Sequence, residues 1–413
     1  MRKRSWLTPI VWGFSLASLF SDMGHELVTA LTPGFLVALG APAIALGLIE
    51  GVSGLAQSFA GLRGGRDADA VTNRRPWLIV GYAGTVLKCL YALVSVWPWL
   101  VLLRTVAWIA RGFRGPLRDS LIVETVPPEA LGRALGFREA MDTVGALIGP
   151  LLAVFLLGAL GYSKLFWLSA LPSLLSVLAI AVFVRDPRQQ SRKTADTARG
   201  TPADGSQPTG NARLQLRSLP SAYRSLLAAD TMFAMGNVAP TFFILAATTV
   251  LAPAYGTKTA AIIGIALYAW HNVVYSLTAV IAGTAIDRVG SRPVLLAGYA
   301  ILFVALVGFA AAPAAIWSYA ILFTLTGLST GTQDAAQKTY VSLSLTDPVK
   351  GRGLGLHAAM LGIGALVSAA LVGGVWTLGS HVLAFALAAV FALAGFVWLA
   401  ARVPNLEAKI AGK

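Results

Sequence analysis

The chain has 413 residues, of which 56% are hydrophobic and 12% charged, with a mean hydropathy of +0.72. That composition excludes a soluble globule of this length, which would need far more polar surface, and places the chain in a membrane. The formal net charge of +14 requires no nucleic-acid partner, because loops on one side of a bilayer carry such an excess beside anionic lipid.

Apolar runs long enough to span, about 20 residues each, fall at 9–37, 43–62, 77–96, 99–124, 134–157 and 162–184. They return at 223–251, 258–286, 293–311, 314–341, 354–376 and 380–401. These are twelve spans, six per half. The period-two alternation of a membrane β-barrel is absent, so the expected fold is an all-α integral membrane bundle. The expected domains are a six-helix half over 1–184, a flexible cytoplasmic linker over 185–222, a second half over 223–401 and a tail over 402–413. Residues 185–218 are rich in Arg, Pro, Gly, Ser and Thr, too polar to bury a core. A partner-binding segment is the alternative reading there.

Basic residues set the orientation. With Met1-Arg2-Lys3-Arg4 in the cytoplasm, the opposite loops hold only Lys164 and Lys258. Both termini are then cytoplasmic, and the short loops suit a bacterial inner membrane. The first run is too long and too charged for a removable leader, so it is read as the first helix. Cys89 is the only cysteine, which excludes an intramolecular disulfide and a Cys-based zinc site. His25-Glu26 lacks the second histidine of a zincin, and no phosphate-loop, dinucleotide or nucleophile-elbow glycine pattern occurs. An enzyme, a metal centre, an organic cofactor and an ATP-driven pump are therefore not expected.

Two stretches repeat. Gly65-Arg-Asp-Ala-Asp69-Ala-Val-Thr-Asn73-Arg74-Arg75-Pro76 matches Gly283-Thr-Ala-Ile-Asp287-Arg288-Val-Gly290-Ser-Arg292-Pro293. Arg133-Ala-Leu-Gly136 through Met141 to Gly145 matches Arg352-Gly-Leu-Gly355 through Met360 to Gly364. The chain is thus a tandem duplication of a half-molecule.

The loop after each half's second span resembles the Gly-x3-Asp-Arg-x-Gly-Arg-Arg signature of the major facilitator superfamily. The second copy keeps Gly283, Asp287, Arg288, Gly290 and Arg292; the first keeps Gly65, Asp69, Arg74 and Arg75 but has Ala70 and Thr72 at two signature positions. The resemblance covers the whole chain. It implies two pseudo-symmetric six-helix halves around a midplane cavity, alternating access and a monomer. Gly136-x8-Gly145-x3-Gly149-Pro150 resembles the antiporter signature of proton-driven exporters, although Ala153 and Val154 replace its trailing glycines. The same glycines would also serve close helix packing. Arg104 resembles the superfamily's span-four arginine associated with proton transfer, with Trp108 in place of the usual following glycine.

Ionisable residues inside spans are functional candidates because burying charge in lipid is costly. Asp22, His25 and Glu26 share one face of the first span. Glu50 and Lys88 follow on spans two and three. Span four carries Arg104, Arg111, Arg114 and Arg118 as a stripe, then Asp119, and span five adds Arg138, Glu139 and Asp142. Arg138 with Asp142, and Arg118 with Asp119 or Glu139, read as structural or gating pairs. Asp22, His25, Glu26, Glu50 and Arg104 read as the proton-coupling group. Arg111 and Arg114 read as the binders of an anionic or zwitterionic substrate, because a guanidinium fork suits carboxylate and phosphate. In the second half Arg111, Arg114 and Arg118 are replaced by Thr330, Gln333 and Gln337. That half offers Asn237, Trp270, His271, Asn272 and Tyr275 as further substrate contacts.

The expected function is secondary active transport of a small organic anion or zwitterion, proton-coupled, with export favoured over uptake. Protons, the substrate and the lipid bilayer are the expected partners. Two alternatives stay open: a proton-driven exporter of amphipathic or cationic drugs, and a transporter-like membrane sensor without net flux.

Overall fold

The structure, a computed structural model, describes residues 6–71, 73–127, 130–186, 219–345 and 347–406, leaving aside the side chains of 66–70 and 347–352. Residues 187–218 of the expected 185–222 linker, the Asp69 carboxylate and residues 407–413 of the tail lie outside those residues, whereas Asp186 is buried against Arg74 and Ser221 already begins a helix. Thirteen α-helices are present among the described residues. They are α1 (Pro9–Ala38), α2 (Ala43–Ala70), α3 (Arg75–Ala83), α4 (Pro98–Thr125), α5 (Leu131–Leu168), α6 (Ala170–Phe183) and α7 (Ser221–Gly236). The remainder are α8 (Pro240–Tyr255), α9 (Thr257–Val289), α10 (Ser291–Ala311), α11 (Ile316–Ser344), α12 (Asp347–Thr377) and α13 (His381–Arg402).

Eight continuous helical stretches are long and apolar enough to cross a membrane, and one of them, Leu131–Phe183, is long enough for two crossings. Gly161 divides that stretch, since its φ of 70° reverses the chain where a side chain would be strained. Helices α1, α4 and α11 complete the twelve spans; their polar and charged residues lower their hydropathy. Thr8 caps α1 by accepting from Val11 N at 3.3 Å, and Pro9 starts the helix where its missing N–H costs nothing.

Two spans are less regular than the apolar runs suggest. The seventh is broken into α7 and α8 at Asn237-Val238-Ala239, because Pro240 holds Ala239 in an extended conformation at ψ 140°. The third passes from α3 into a 3₁₀ helix over Gly84–Leu93. A 3₁₀ run of that length is uncommon. Its three-residue period lines up Thr85, Lys88 and Tyr91, all buried, in one inward row.

Helices pack through small residues, as expected where both lipid and side chains are apolar. A Cβ on Gly145 would sit 2.2 Å from Leu19 O, and one on Gly149 2.6 Å from Met23 O, so these glycines let α5 close onto α1. Between the halves, Gly47 of α2 meets Ala369 O of α12 in the same way. At the end of the bundle away from the α1 N-terminus the halves are tied together. Ile44 N donates to Thr377 Oγ1 at 2.8 Å and Lys258 Nζ to Gly158 O at 2.8 Å.

Candidate functional site

The polar interior of the first half is built by α1, α2, the 3₁₀ segment and α4, and is met across the midline by α9. Asp22 of α1 takes a two-armed ion pair from Arg111 of α4, at 2.7 and 3.2 Å. Asp142 of α5 interacts with the same carboxylate and lies 3.9 Å from Arg138. One turn along α1, the His25 ring meets Lys88 through Nδ1, and its Nε2 lies 3.7 Å from Glu26 Oε1. Glu26 in turn accepts from Tyr268 Oη of α9 at 2.7 Å. That bond joins the halves, as does Asn272 Nδ2 donating to Ala146 O at 3.2 Å.

Trp108 is the hub of the cluster. His25 packs edge-on against its ring at 5.1 Å, and the guanidinium groups of Arg104 and Arg111 lie 5.2 and 5.8 Å from it. Arg104 bonds Glu50 of α2 through one arm, at 2.6 Å. Arg114 bonds Ser21 Oγ at 2.7 Å and lies 3.8 Å over the face of Tyr82. Lys88, Arg104, Arg111 and Arg114 therefore face Asp22, Glu26, Glu50 and Asp142, four basic groups among four acidic ones.

The other candidates lie elsewhere. Trp270 is 48% exposed on the bundle perimeter and donates to Thr324. His271 is buried against Thr326 at 2.9 Å, and Tyr275 donates to Asp334 at 2.9 Å. Asn237 sits at the break in span seven, its carbonyl accepting from Ser368. Arg118 pairs with Asp119 at 2.9 Å, and Arg138 with Glu139. Gly65 and Gly283 face open space, and Asp287 and Arg288 are exposed at the end of α9. Gly290 adopts φ 88° between α9 and α10, a conformation that explains the glycine in the signature. Pro150 is buried within α5.

The signature arginines hold helix ends. Arg75 donates to Ala181 O at 2.5 Å in the last turn of α6, and Arg292 to Ala400 O at 2.7 Å in the last turn of α13, where the helix dipole favours a cation. Arg74 is buried between Glu124 and Asp186, at 2.7 and 3.2 Å. These carboxylates outweigh its desolvation and hold the guanidinium charged beyond its ordinary range.

Tyr268 and Tyr299 are not singled out by the sequence, and Trp108 stands out there only for replacing a glycine, whereas Lys88, Asp230 and His357 are marked as polar residues of spans without their partners. Tyr268 and Trp108 have no signal in a single chain beyond their place on a polar helix face. Lys88 becomes a partner of His25 only through the 3₁₀ period. In the second half Tyr299 donates to Asp230, whose other oxygen lies 2.6 Å from His357 Nε2, a closed buried triad joining α7, α10 and α12.

Residues 14–259 and 231–413 match the family model of the Major Facilitator Superfamily. An uncharacterized MFS-type transporter of Methanocaldococcus jannaschii is 25% identical over 373 residues, 90% of this chain and 89% of that protein. The crystal structure of the nucleoside transporter NupG superposes with a TM-score of 0.74 at 12% identity, covering 95% of this chain and 98% of that one. That of a D-xylose-proton symporter does so with a TM-score of 0.70 at 14% identity, covering 97% and 99%.

Proposed function

The chain belongs to the Major Facilitator Superfamily, a family of transporters and not of enzymes, and from that premise we propose that it is a proton-coupled carrier of a small organic anion or zwitterion. The observation that carries this reading is the ladder on α1. Asp22 binds a cation of its own half, while Glu26, one turn on, accepts a hydrogen bond from Tyr268 of the other half. A proton placed on Glu26 removes the charge that Tyr268 solvates, and so loosens a bond between the halves. A proton placed on Asp22 releases Arg111, which then offers two parallel donors to a carboxylate or phosphate. Proton binding and substrate binding thereby act on the same arginine and the same interface.

The guanidinium groups of Arg104 and Arg111 beside Trp108 favour an anionic group over a lipophilic cation, because their donor forks suit carboxylate and phosphate. The glycine spacing on α5 that resembles antiporters favours export, driven by inward proton flow at the bacterial inner membrane. Binding at the midplane between the two duplicated halves gives alternating access by rocking of the halves.

The test is flux in proteoliposomes under an imposed pH gradient. Asp22→Asn and Glu26→Gln are expected to abolish gradient-driven accumulation while substrate exchange without a gradient persists. Wild-type driven flux in both variants would falsify the coupling role. Stimulation by lipophilic cations alone would replace this reading with cationic drug export, and ligand binding without flux would replace it with a sensor.

A further inference from the structure

The polar line that ends on Tyr268 begins in the 3₁₀ segment. Lys88 lies in the buried row that the three-residue period creates, and its Nζ meets Nδ1 of His25. The opposite ring nitrogen, Nε2, lies 3.7 Å from Glu26 Oε1. The other oxygen of that carboxylate, Oε2, accepts from Tyr268 Oη at 2.7 Å. Trp108 packs edge-on against the imidazole and holds its plane in this line. Arg104, Arg111, Arg114 and Asp22 also face the line. Of these, Arg104 is held by Glu50, Arg111 by Asp22 and Arg114 by Ser21.

An ammonium has donors only, so against Lys88 the His25 Nδ1 is the acceptor and the ring proton stands on Nε2, toward Glu26. A closure of about half an ångström brings Nε2 within hydrogen-bond distance of Oε1. A cation and an anion thus sit on the two nitrogens of one ring. Keeping separated charges in an apolar medium is costly, and one proton moved along the line removes both. We infer that Lys88, His25 and Glu26 form a proton relay, in which Lys88 supplies the proton that reaches Glu26. Lys88 gives a proton to Nδ1 as Nε2 gives its own to Glu26 Oε1. The ammonium becomes an amine and the carboxylate a carboxylic acid, while the imidazole stays neutral and its proton changes nitrogen. Tyr268 then faces a neutral acid instead of a carboxylate, and the bond between the halves weakens. The reverse step restores it. The relay's part in coupling rests on the carrier reading above, to which it adds Lys88 as a proton-carrying residue and the tautomer of His25 as the switch.

The test uses the full chain with isotope-labelled histidine, reconstituted in lipid at a fixed alkaline pH without added solute. Nitrogen NMR separates the two neutral tautomers, and His25→Gln identifies the His25 signals among the four histidines. Infrared absorption reads the protonated carboxyl of Glu26, identified by its loss in Glu26→Gln. Wild type is expected in the Nε2–H form. Tyr268→Phe removes a hydrogen bond that favours the carboxylate, so the Nδ1–H form and the Glu26 carboxyl band are expected to rise together, by about fivefold. Lys88→Arg keeps a cation that gives up no proton; added to Tyr268→Phe, it is expected to prevent both rises. Should that double variant fail to fold, His25→Gln with Tyr268→Phe is expected to hold the carboxyl band at its wild-type level. A wild type already in the Nδ1–H form, a tautomer unmoved by Tyr268→Phe, or a carboxyl band that rises equally with Lys88→Arg overturns the relay. Such spectra, with Glu26→Gln still abolishing pH-driven accumulation, sink the relay and keep the carrier reading. Transfer seen in the spectra, with driven accumulation unaltered in Glu26→Gln, keeps the relay and sinks its coupling role.

Discussion

The two halves share a skeleton and differ in charge. Gly112 lets α4 approach Gln57 O of α2, and Gly331, 219 positions on, lets α11 approach Tyr275 O of α9. Gly145 rests on Leu19 O, and its counterpart Gly364 on Thr231 O. Arg75 and Arg292 each hold the last turn of their half's final helix. The inner polar groups do not repeat. In the first half the interior tyrosine, Tyr82, has the Arg114 guanidinium over its face. In the second, the equivalent Tyr299 stacks on Phe233 at 3.5 Å and donates to Asp230, which His357 also engages. The first-half cluster leaves buried donors open, whereas the second-half triad satisfies its own atoms. Packing contacts were kept through the duplication because backbone approach tolerates little change. Charge was free to diverge, and the ionisable residues of the interior gather in the first half.

The sharpest break of this comparison removes an arginine and its counterpart. Arg111→Ala leaves the Asp22 carboxylate buried without its guanidinium and is expected to cost about 3–5 kcal/mol. Thr330→Ala, at the equivalent place in α11, loses only a bond to Thr326 O and is expected to cost about 0.5 kcal/mol or less. Thermal unfolding of both variants measures the difference, and equal losses would mean that the first-half cluster is no more strained than the second.

The shared skeleton is tested by Gly112→Ala and Gly331→Ala. A Cβ would sit 2.3 Å from Gln57 O in the first and 2.8 Å from Tyr275 O in the second. Each is expected to lose about 1–3 kcal/mol through forced separation of two helices. A loss confined to one of them would show that the duplicated seam is no longer equivalent.

A smaller effect is expected at the interface. Tyr268→Phe removes the bond to Glu26 and is expected to cost about 1 kcal/mol. Spin-label distances between α1 and α9 should broaden or lengthen in this variant, and unchanged distances would dissociate Glu26 from the joining of the halves.

The smallest effect belongs to Arg74. Its folded-state affinity for a proton is raised by Glu124 and Asp186, so its stabilising charge is fully present below the ordinary arginine range and is lost only above it. The stability difference between wild type and Glu124→Gln should therefore stay constant between about pH 7 and pH 10. A difference that fades within that window would show that Arg74 is not the group held there.

Much of this molecule was legible in the residues. The apolar runs mark twelve spans even where polar residues lower the hydropathy of the first, fourth and tenth, because helices in lipid must be long and internally hydrogen-bonded, and the Gly65 and Gly283 stretches reveal the duplication. The spacing of Asp22, His25 and Glu26 places them on one face, since that follows from helical period. The break at Asn237 was less legible: the apolar run continues across it, and only Pro240 marks the restriction on Ala239. The 3₁₀ stretch after α3 has no sequence mark.

The sequence by itself determined the helices, their pairing into halves and the store of buried charge. Which charge meets which was decided by the tertiary structure. Arg111 reaches Asp22, Lys88 reaches His25, Tyr268 reaches Glu26, and Arg104 stands half-paired beside Trp108 only because particular helices are rotated and brought close by particular glycines. Spacing along one helix is set by the local backbone, but contact between helices depends on crossing and rotation, which many distant side chains settle together.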